Sequence, residues 1–188
     1  MEKWIVLIIV AVVAIYGIGV FNRLVRLRNL AREGWSGIDV QLKRRTDLVP
    51  NLVDTVKGYA AHERGVFEEV TAMRTSSIAA SNVSAQASAE QALQTSLGKL
   101  FAVAEAYPEL KADKNFLALQ QQLADIEDQL QMARRYYNGT VRNLNTAIQS
   151  FPANVLAGMF GFHEQPFFEL EDRTQAAAPG VAFQAPGS

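Results

Sequence analysis

The stretch FLALQQQLADIEDQLQMARRYYNGTVRNLNTAIQSF, residues 116–151, places apolar or aromatic side chains three or four positions apart along nearly its whole length. This spacing keeps those side chains on one face of an α-helix, as in a helix that packs against other helices. No stretch of the sequence shows the sustained alternation of apolar and polar residues that predicts a β-strand. The sequence therefore predicts an all-α fold.

The same period appears before residue 116 and a further helix signal follows residue 151. The predicted helices are residues 24–73 with a bend near Pro50, residues 85–107 before Pro108, residues 116–151 before Pro152, and a short fourth helix through Met159. The apolar residues keep the same helical spacing on both sides of Pro50 and so form one continuous apolar stripe. One long helix is therefore predicted there. We predict an antiparallel, up-and-down helical bundle of three long helices plus a short fourth. Its core includes Leu52, Leu130 and Leu144.

An uncharged stretch, WIVLIIVAVVAIYGIGVF at residues 4–21, precedes the bundle. As a helix of 18 residues it spans roughly 27 Å, close to the hydrocarbon thickness of a bilayer. No small-residue cleavage site follows it, which favours an uncleaved transmembrane helix over a signal peptide. The predicted organisation is an anchor over residues 1–22, a bundle over residues 23–172 and a disordered Pro/Gly/Ala-rich tail over residues 173–188.

Charge is distributed unevenly along the chain. Residues 22–45 contain seven basic and two acidic side chains, whereas residues 46–188 contain 10 basic and 16 acidic ones. By the positive-inside rule the short N-terminus lies outside the membrane and the bundle lies in the cytoplasm. The basic residues next to the apolar stretch form a predicted collar at the membrane surface: Arg23, Arg26, Arg28 and Arg32. The collar either only sets the topology or also contacts anionic lipid headgroups.

Four segments together resemble the LemA family. They are WSGIDVQLKRRTDLVPNLVDTVKGYAAHE (35–63), YPELKA (107–112), ARRYYNGTVRNLN (133–145) and SFPAN…GFHEQPFFE (150–169). The resemblance covers about residues 4–171. It implies a bacterial protein with one N-terminal transmembrane helix, a short N-terminus outside and a helical-bundle domain. The family's molecular function is uncertain, and the resemblance implies no catalytic residues.

Composition and motifs exclude several classes of function. The chain has no cysteine and a formal net charge of −1, which excludes disulfides, cysteine-based metal sites and a whole-chain nucleic-acid binder. His62 and His163, the two histidines, lack the spacing of zinc-protease or di-iron motifs. The acidic cluster Asp125, Glu127 and Asp128 is interpreted as a solvated helix face. We therefore predict no catalytic, cofactor-binding or metal-binding residues and no nucleic-acid partner.

Two sets of residues are candidates for contacts. Arg45, Asn138, Arg142 and Asn145 are predicted to form a buried polar layer or a partner-binding surface. Leu27, Leu30, Gly34, Trp35 and Ile38 are predicted to form a bare apolar patch through which the chain associates with itself. The alternative is that this segment packs on its own bundle or lies in the headgroup layer.

Three hypotheses for function follow. The first is a non-enzymatic, membrane-anchored scaffold or adaptor in the bacterial cytoplasmic (inner) membrane. Its expected partners are the lipid bilayer, other copies of the chain and other membrane proteins, including integral-membrane proteases, whose genes often neighbour those of the family it resembles. The second is a hydrolase with an unrecognised site, and the third is a peripheral lipid-organising protein.

Overall fold

The computed structural model describes residues 1–169, and within them it contains six α-helices and no strand. The helices are Glu2–Lys57 (α1), Arg64–Ala79 (α2), Val83–Glu105 (α3), Pro108–Lys111 (α4), Lys114–Gln149 (α5) and Ala153–Met159 (α6). The predicted all-α fold is confirmed. The tail predicted to be disordered, residues 173–188, lies outside the described residues.

The long helices pack in antiparallel pairs. α1 packs mainly against α5, and α2 packs mainly against α3. The direction of the first pair follows from two contacts, since Gly34 faces Tyr137 whereas Arg45, farther along α1, faces Glu127, earlier on α5. Residues 2–19 of α1 extend beyond this pair and are exposed, except for half-buried Gly17. The result is a four-helix bundle with an apolar extension at one end.

The single helix predicted over residues 24–73 is wrong, because this segment forms two helices. α1 ends at Lys57, a turn follows, and α2 begins at Arg64. The apolar faces of both helices pack into the same core. Val56, before the turn, and Val70, after it, are therefore both fully buried. An apolar period that continues in phase therefore does not distinguish one long helix from two antiparallel helices.

The core of the bundle lies where the sequence placed it. Leu52, Leu130 and Leu144 are fully buried, which confirms their prediction as core residues. The core side chains fall into three groups along the bundle, and the last, around Leu24 and Phe162, lies next to the apolar extension. The bundle is therefore packed up to the point where the apolar stretch begins.

Pro50 lies inside α1, and the structure shows how the helix accommodates it. A proline has no N–H, so the carbonyl oxygen four residues earlier, that of Thr46, loses its helical donor. The side chain of Arg74 on α2 supplies a replacement, because its Nε donates to the Thr46 oxygen at 2.7 Å. The contact joins α1 to α2 at the point where the helical hydrogen bond is missing.

The other helix ends follow local signals. Asn82 accepts a hydrogen bond from the amide of Ala85 and starts α3, and Asp113 accepts from two amides and starts α5. α3 ends before Pro108, as predicted. α6 confirms the predicted short helix through Met159. After α6 the closing segment, residues 161–169, runs back along α5 without regular structure.

Candidate functional site: a buried ion cluster, a clamped closing segment and a basic groove

The bundle contains a buried charge cluster centred on Arg45. This side chain is 1% exposed, and its Nη1 lies 3.3 Å from Glu90 Oε2 on α3. Its Nε lies 3.0 Å from Glu127 Oε1 on α5. Because a buried cation without a partner is strongly destabilising, the two carboxylates are required for the fold to contain Arg45.

Glu90 is held by further donors. It is 0% exposed, and its Oε1 accepts from the hydroxyl of Ser77 on α2 and from Gln86 Nε2 at 2.9 Å. The pKa of Glu127 is raised, mainly because burial disfavours its charged form, while Arg45 acts in the opposite direction. The cluster connects α1, α2, α3 and α5 through the two ion pairs of Arg45 and the hydrogen bonds accepted by Glu90. This arrangement is structural, holding four helices in register.

The sequence identified Arg45 but missed both of its partners. Glu127 was assigned to a solvated acidic face with Asp125 and Asp128, and this is wrong for Glu127, which is partly buried against Arg45. Glu90 was overlooked, although it lies three residues before Leu93 on the apolar stripe of α3. Extending the apolar stripe of α3 by one turn towards its N-terminus would have placed Glu90 in the core, where it could pair with Arg45.

Asn138 and Asn145 do not belong to the Arg45 cluster. The prediction that these residues form a single polar layer is therefore wrong. Each side-chain amide instead makes two hydrogen bonds to the backbone of the closing segment. Asn138 donates to the Phe168 oxygen at 3.2 Å and accepts from its amide at 2.9 Å. Asn145 makes the same pair with Gln165, at 2.9 Å for each bond. The two asparagines clamp the closing segment along α5.

Arg142, the remaining member of the predicted layer, is exposed. It follows Asn138 by four residues and precedes Asn145 by three, so all three residues lie on the same side of α5. Arg142 instead lines a groove of about 420 Å³ beside the apolar extension.

The apolar patch predicted for self-association is covered by the chain itself. Ile38 is fully buried, and an added Cβ on Gly34 would lie 3.0 Å from the Cα of Tyr137, so α1 and α5 touch there. Trp35 packs edge-on against the rings of Tyr137 and Phe168. Leu27 and Leu30 are half-buried. The patch was predicted to be exposed from a comparison of helix lengths. That comparison did not include the closing segment, which also packs on this part of α1.

The basic collar divides into two kinds of arginine. Arg23, Arg26 and Arg32 are exposed. Arg28 is half-buried, with its guanidinium 4.9 Å from the centre of the Phe162 ring in a cation–π contact. Arg28 therefore holds the closing segment, and the other three remain free to face solvent or headgroups.

α1 is long and apolar enough at its N-terminal end to cross a membrane. The apolar stretch and the bundled part belong to one helix, Glu2–Lys57, without interruption. Among residues 1–169 no cluster of three or more metal-ligating side chains occurs. His62 and His163 are both exposed.

Comparison with known proteins agrees with this architecture. The sequence profile of the LemA family matches residues 34–183. The chain is 25% identical over 174 residues to magnetosome protein MamQ of Magnetospirillum gryphiswaldense, covering 79% of this chain and 64% of that protein. It is also 25% identical over 159 residues to protein LemA of Metamycoplasma hominis, covering 82% and 71% respectively. The chain thus spans just under two thirds of the MamQ protein it matches. Because the family profile covers most of its length, the chain belongs to the LemA family.

Proposed function

We propose that the protein is a non-enzymatic, membrane-anchored scaffold. α1 crosses the bacterial cytoplasmic membrane once, with its short N-terminus outside and the bundle in the cytoplasm. The observation that supports this most directly is the continuity of α1, which joins an exposed apolar stretch to a bundle with no flexible linker between them. Such a helix holds the bundle at a fixed distance from the membrane and at high local concentration for partners in the same bilayer.

The use of the interior polar groups favours a scaffold over a hydrolase. Arg45, Glu90 and Ser77 bind one another inside the bundle, and Asn138 and Asn145 bind backbone. The ion pair of Arg45 with Glu90 and the hydrogen bonds of Ser77, Asn138 and Asn145 stabilise the fold.

Partners are proposed to be other copies of the chain and other membrane proteins, integral-membrane proteases among them. In the middle part of the α1–α5 pair three large apolar side chains are exposed, namely Val40, Met132 and Tyr136. Contact surfaces between proteins favour such residues, and aromatic side chains and Met in particular.

Site-specific photo-crosslinking in cells tests the proposal. A benzophenone amino acid is placed at Val40, Met132 or Tyr136, with Glu109, an exposed polar position at the far end of the bundle, as the matched control. We expect discrete adducts with the chain itself or with membrane proteins at the three apolar positions and not at Glu109. Adducts no stronger than those at Glu109 would contradict the scaffold.

A further inference from the structure

α6 and its flanking residues expose an unusual amount of apolar surface. Phe151 is 83% exposed and Met159 is 73% exposed, and Val155 and Phe160 are more than half exposed. Phe151, Val155 and Met159 are spaced four residues apart, whereas Ala157 is buried against the bundle. We call Phe151, Val155, Met159 and Phe160 the α6 surface. Several large exposed apolar side chains within one short segment are typical of an interaction site.

The position of the α6 surface relative to α1 is fixed by aromatic contacts. The ring of Phe160 lies 4.9 Å from that of Phe21, and the ring of Phe162 lies 5.7 Å from it. Phe21 is the last residue of the uncharged stretch of α1. The α6 surface is therefore level with the cytoplasmic end of the proposed transmembrane segment.

The turn between α5 and α6 borders a groove that extends deeper along α1. Phe151 and Pro152 line the same groove as Tyr16, which precedes Phe21 by about 7.5 Å along the helix axis. Apolar faces of helices that lie on a membrane insert roughly 5–10 Å into the boundary between headgroups and acyl chains. The depth implied by Tyr16 falls within that range.

The groove itself is basic at one end and apolar at the other. Its volume is about 420 Å³, and its walls include Tyr16 and Val20 at the apolar end and Arg23, Arg142 and Asn143 at the polar end. None of the residues that line it, among residues 1–169, is acidic. Neither arginine makes an ion pair within the described part of the chain. Two guanidinium groups in a groove that also contains apolar side chains match the chemistry of a phospholipid with an anionic headgroup.

We propose that the α6 surface lies in the boundary between headgroups and acyl chains beside α1, and that Arg23 and Arg142 bind the phosphate of an anionic phospholipid. An acyl chain of this lipid lies along Tyr16 and Val20. The inference rests on the proposed membrane crossing by α1. It adds a second contact with the bilayer and a lipid-binding site between α1 and α5.

Depth measurement in nanodiscs tests the insertion. The chain has no native cysteine, so a fluorescent NBD label can be attached at one introduced cysteine in the full-length protein. The labelled positions are Val155 on the α6 surface, Val10 in the apolar stretch and Leu117, an exposed apolar residue at the far end of α5. Spin-labelled lipids should quench the label at Val155 and Val10 but not at Leu117.

The three positions separate two kinds of failure. Quenching at Val10 without quenching at Val155 would overturn the insertion of α6 while leaving the anchor intact. Absence of quenching at Val10 would instead overturn the membrane crossing itself. Equal quenching at Val155 and Leu117 would show nonspecific contact with lipid and would also overturn the proposal.

Lipid retention measured by native mass spectrometry tests the headgroup site. We expect full-length protein titrated with phosphatidylglycerol to bind it more tightly than phosphatidylcholine. The double variant Arg23→Gln/Arg142→Gln should lose roughly 10-fold or more of that affinity, as expected for two basic groups at a lipid surface. The matched control Arg44→Gln/Arg135→Gln removes two exposed arginines from the same helices, outside both the groove and the basic collar, and should bind as the unmodified chain does.

Three results would overturn the lipid site. The first is equal affinity for the two lipids, and the second is an equal loss in both double variants. The third is displacement of the lipid by excess glycerol phosphate, which carries the same anion without acyl chains. That displacement would indicate a site for a soluble phosphate compound.

Discussion

Arg45 is the residue whose surroundings depend most on a charged partner. It is buried with Glu90, which has no contact with solvent, and with Glu127, which is partly exposed. Replacing Arg45 by Met leaves Glu90 charged and unpaired in the core. We expect Arg45→Met to lower the free energy of unfolding by about 3–5 kcal/mol, measured by chemical denaturation of the full chain in detergent.

A double variant separates the loss of the ion pair from the loss of packing at Arg45. Glu90→Gln in the Arg45→Met background removes the orphaned charge and keeps an acceptor for Ser77 and Gln86. We expect it to recover a large part of the lost stability. A loss below about 1 kcal/mol for Arg45→Met alone would show that the pair contributes no more than a surface ion pair.

Asp113 gives the stability of the protein a defined pH dependence. Its pKa lies below its ordinary value, chiefly because its carboxylate accepts the hydrogen bond from the amide of Phe116, with Tyr59 and Asn115 adding to the effect. A lowered pKa in the folded state means that the contribution to stability is present above the ordinary pKa and lost as pH falls through the folded value. The melting temperature should therefore fall as the pH is lowered through 4 and below.

Asp113→Asn is the matched control for this pH dependence. Asparagine also starts helices well but does not titrate in this range. The variant should melt with a flatter dependence on pH in the acidic range than the unmodified chain. An identical slope in both proteins would assign the acid sensitivity to other carboxylates.

At the level of helices, the contact between Arg74 and the Thr46 oxygen depends on Pro50. Arg74→Met leaves that carbonyl oxygen without a donor and should cost about 1–3 kcal/mol. In a Pro50→Ala background the new amide of residue 50 can supply the helical hydrogen bond, so the same change at Arg74 should cost markedly less. Denaturation of the four proteins gives the coupling energy, and a value near zero would contradict the compensation.

Two glycines three residues apart on α1 provide a second test of helix packing. Gly34→Ala would place a Cβ 3.0 Å from the backbone of α5 and should destabilise the protein by about 1–3 kcal/mol. Gly37→Ala enters open space and should stabilise it by about 0.5–1 kcal/mol through higher helix propensity. Thermal melts of both variants check the pair. Effects of the same sign would show that α1 and α5 do not touch at Gly34.

The period of apolar residues predicted the helices and the core better than it predicted how helices turn or what covers them. Leu130 and Leu144 were placed correctly because burial of a stripe is a local property of the helix that carries it. The reversal after Lys57 was missed because both helices face one core. The roles of Asn138 and Asn145 were missed because their partners are backbone atoms, which any sequence could supply.

For the molecule as a whole, the asymmetric charge predicts which way the chain is inserted. Residues 22–45 carry seven basic and two acidic side chains, whereas only Glu2 and Lys3 precede the apolar stretch. Because basic flanks are retained in the cytoplasm, the bundle is expected there. Labelling of single introduced cysteines in intact bacteria by a membrane-impermeant maleimide measures the orientation, since the chain supplies no competing thiol.

Lys3→Cys should be labelled in cells whose outer membrane alone has been permeabilised, because the proposed topology places the residues before the apolar stretch on the outer side. Asp128→Cys, at an exposed position of α5, should react only after the inner membrane has also been opened. Reaction of both cysteines after lysis confirms that each thiol is accessible. Labelling of Asp128→Cys before the inner membrane is opened would place the bundle outside and reverse the proposed topology. It would also move Arg23 and Arg142 to the outer leaflet, so the lipid site would then have to be sought there.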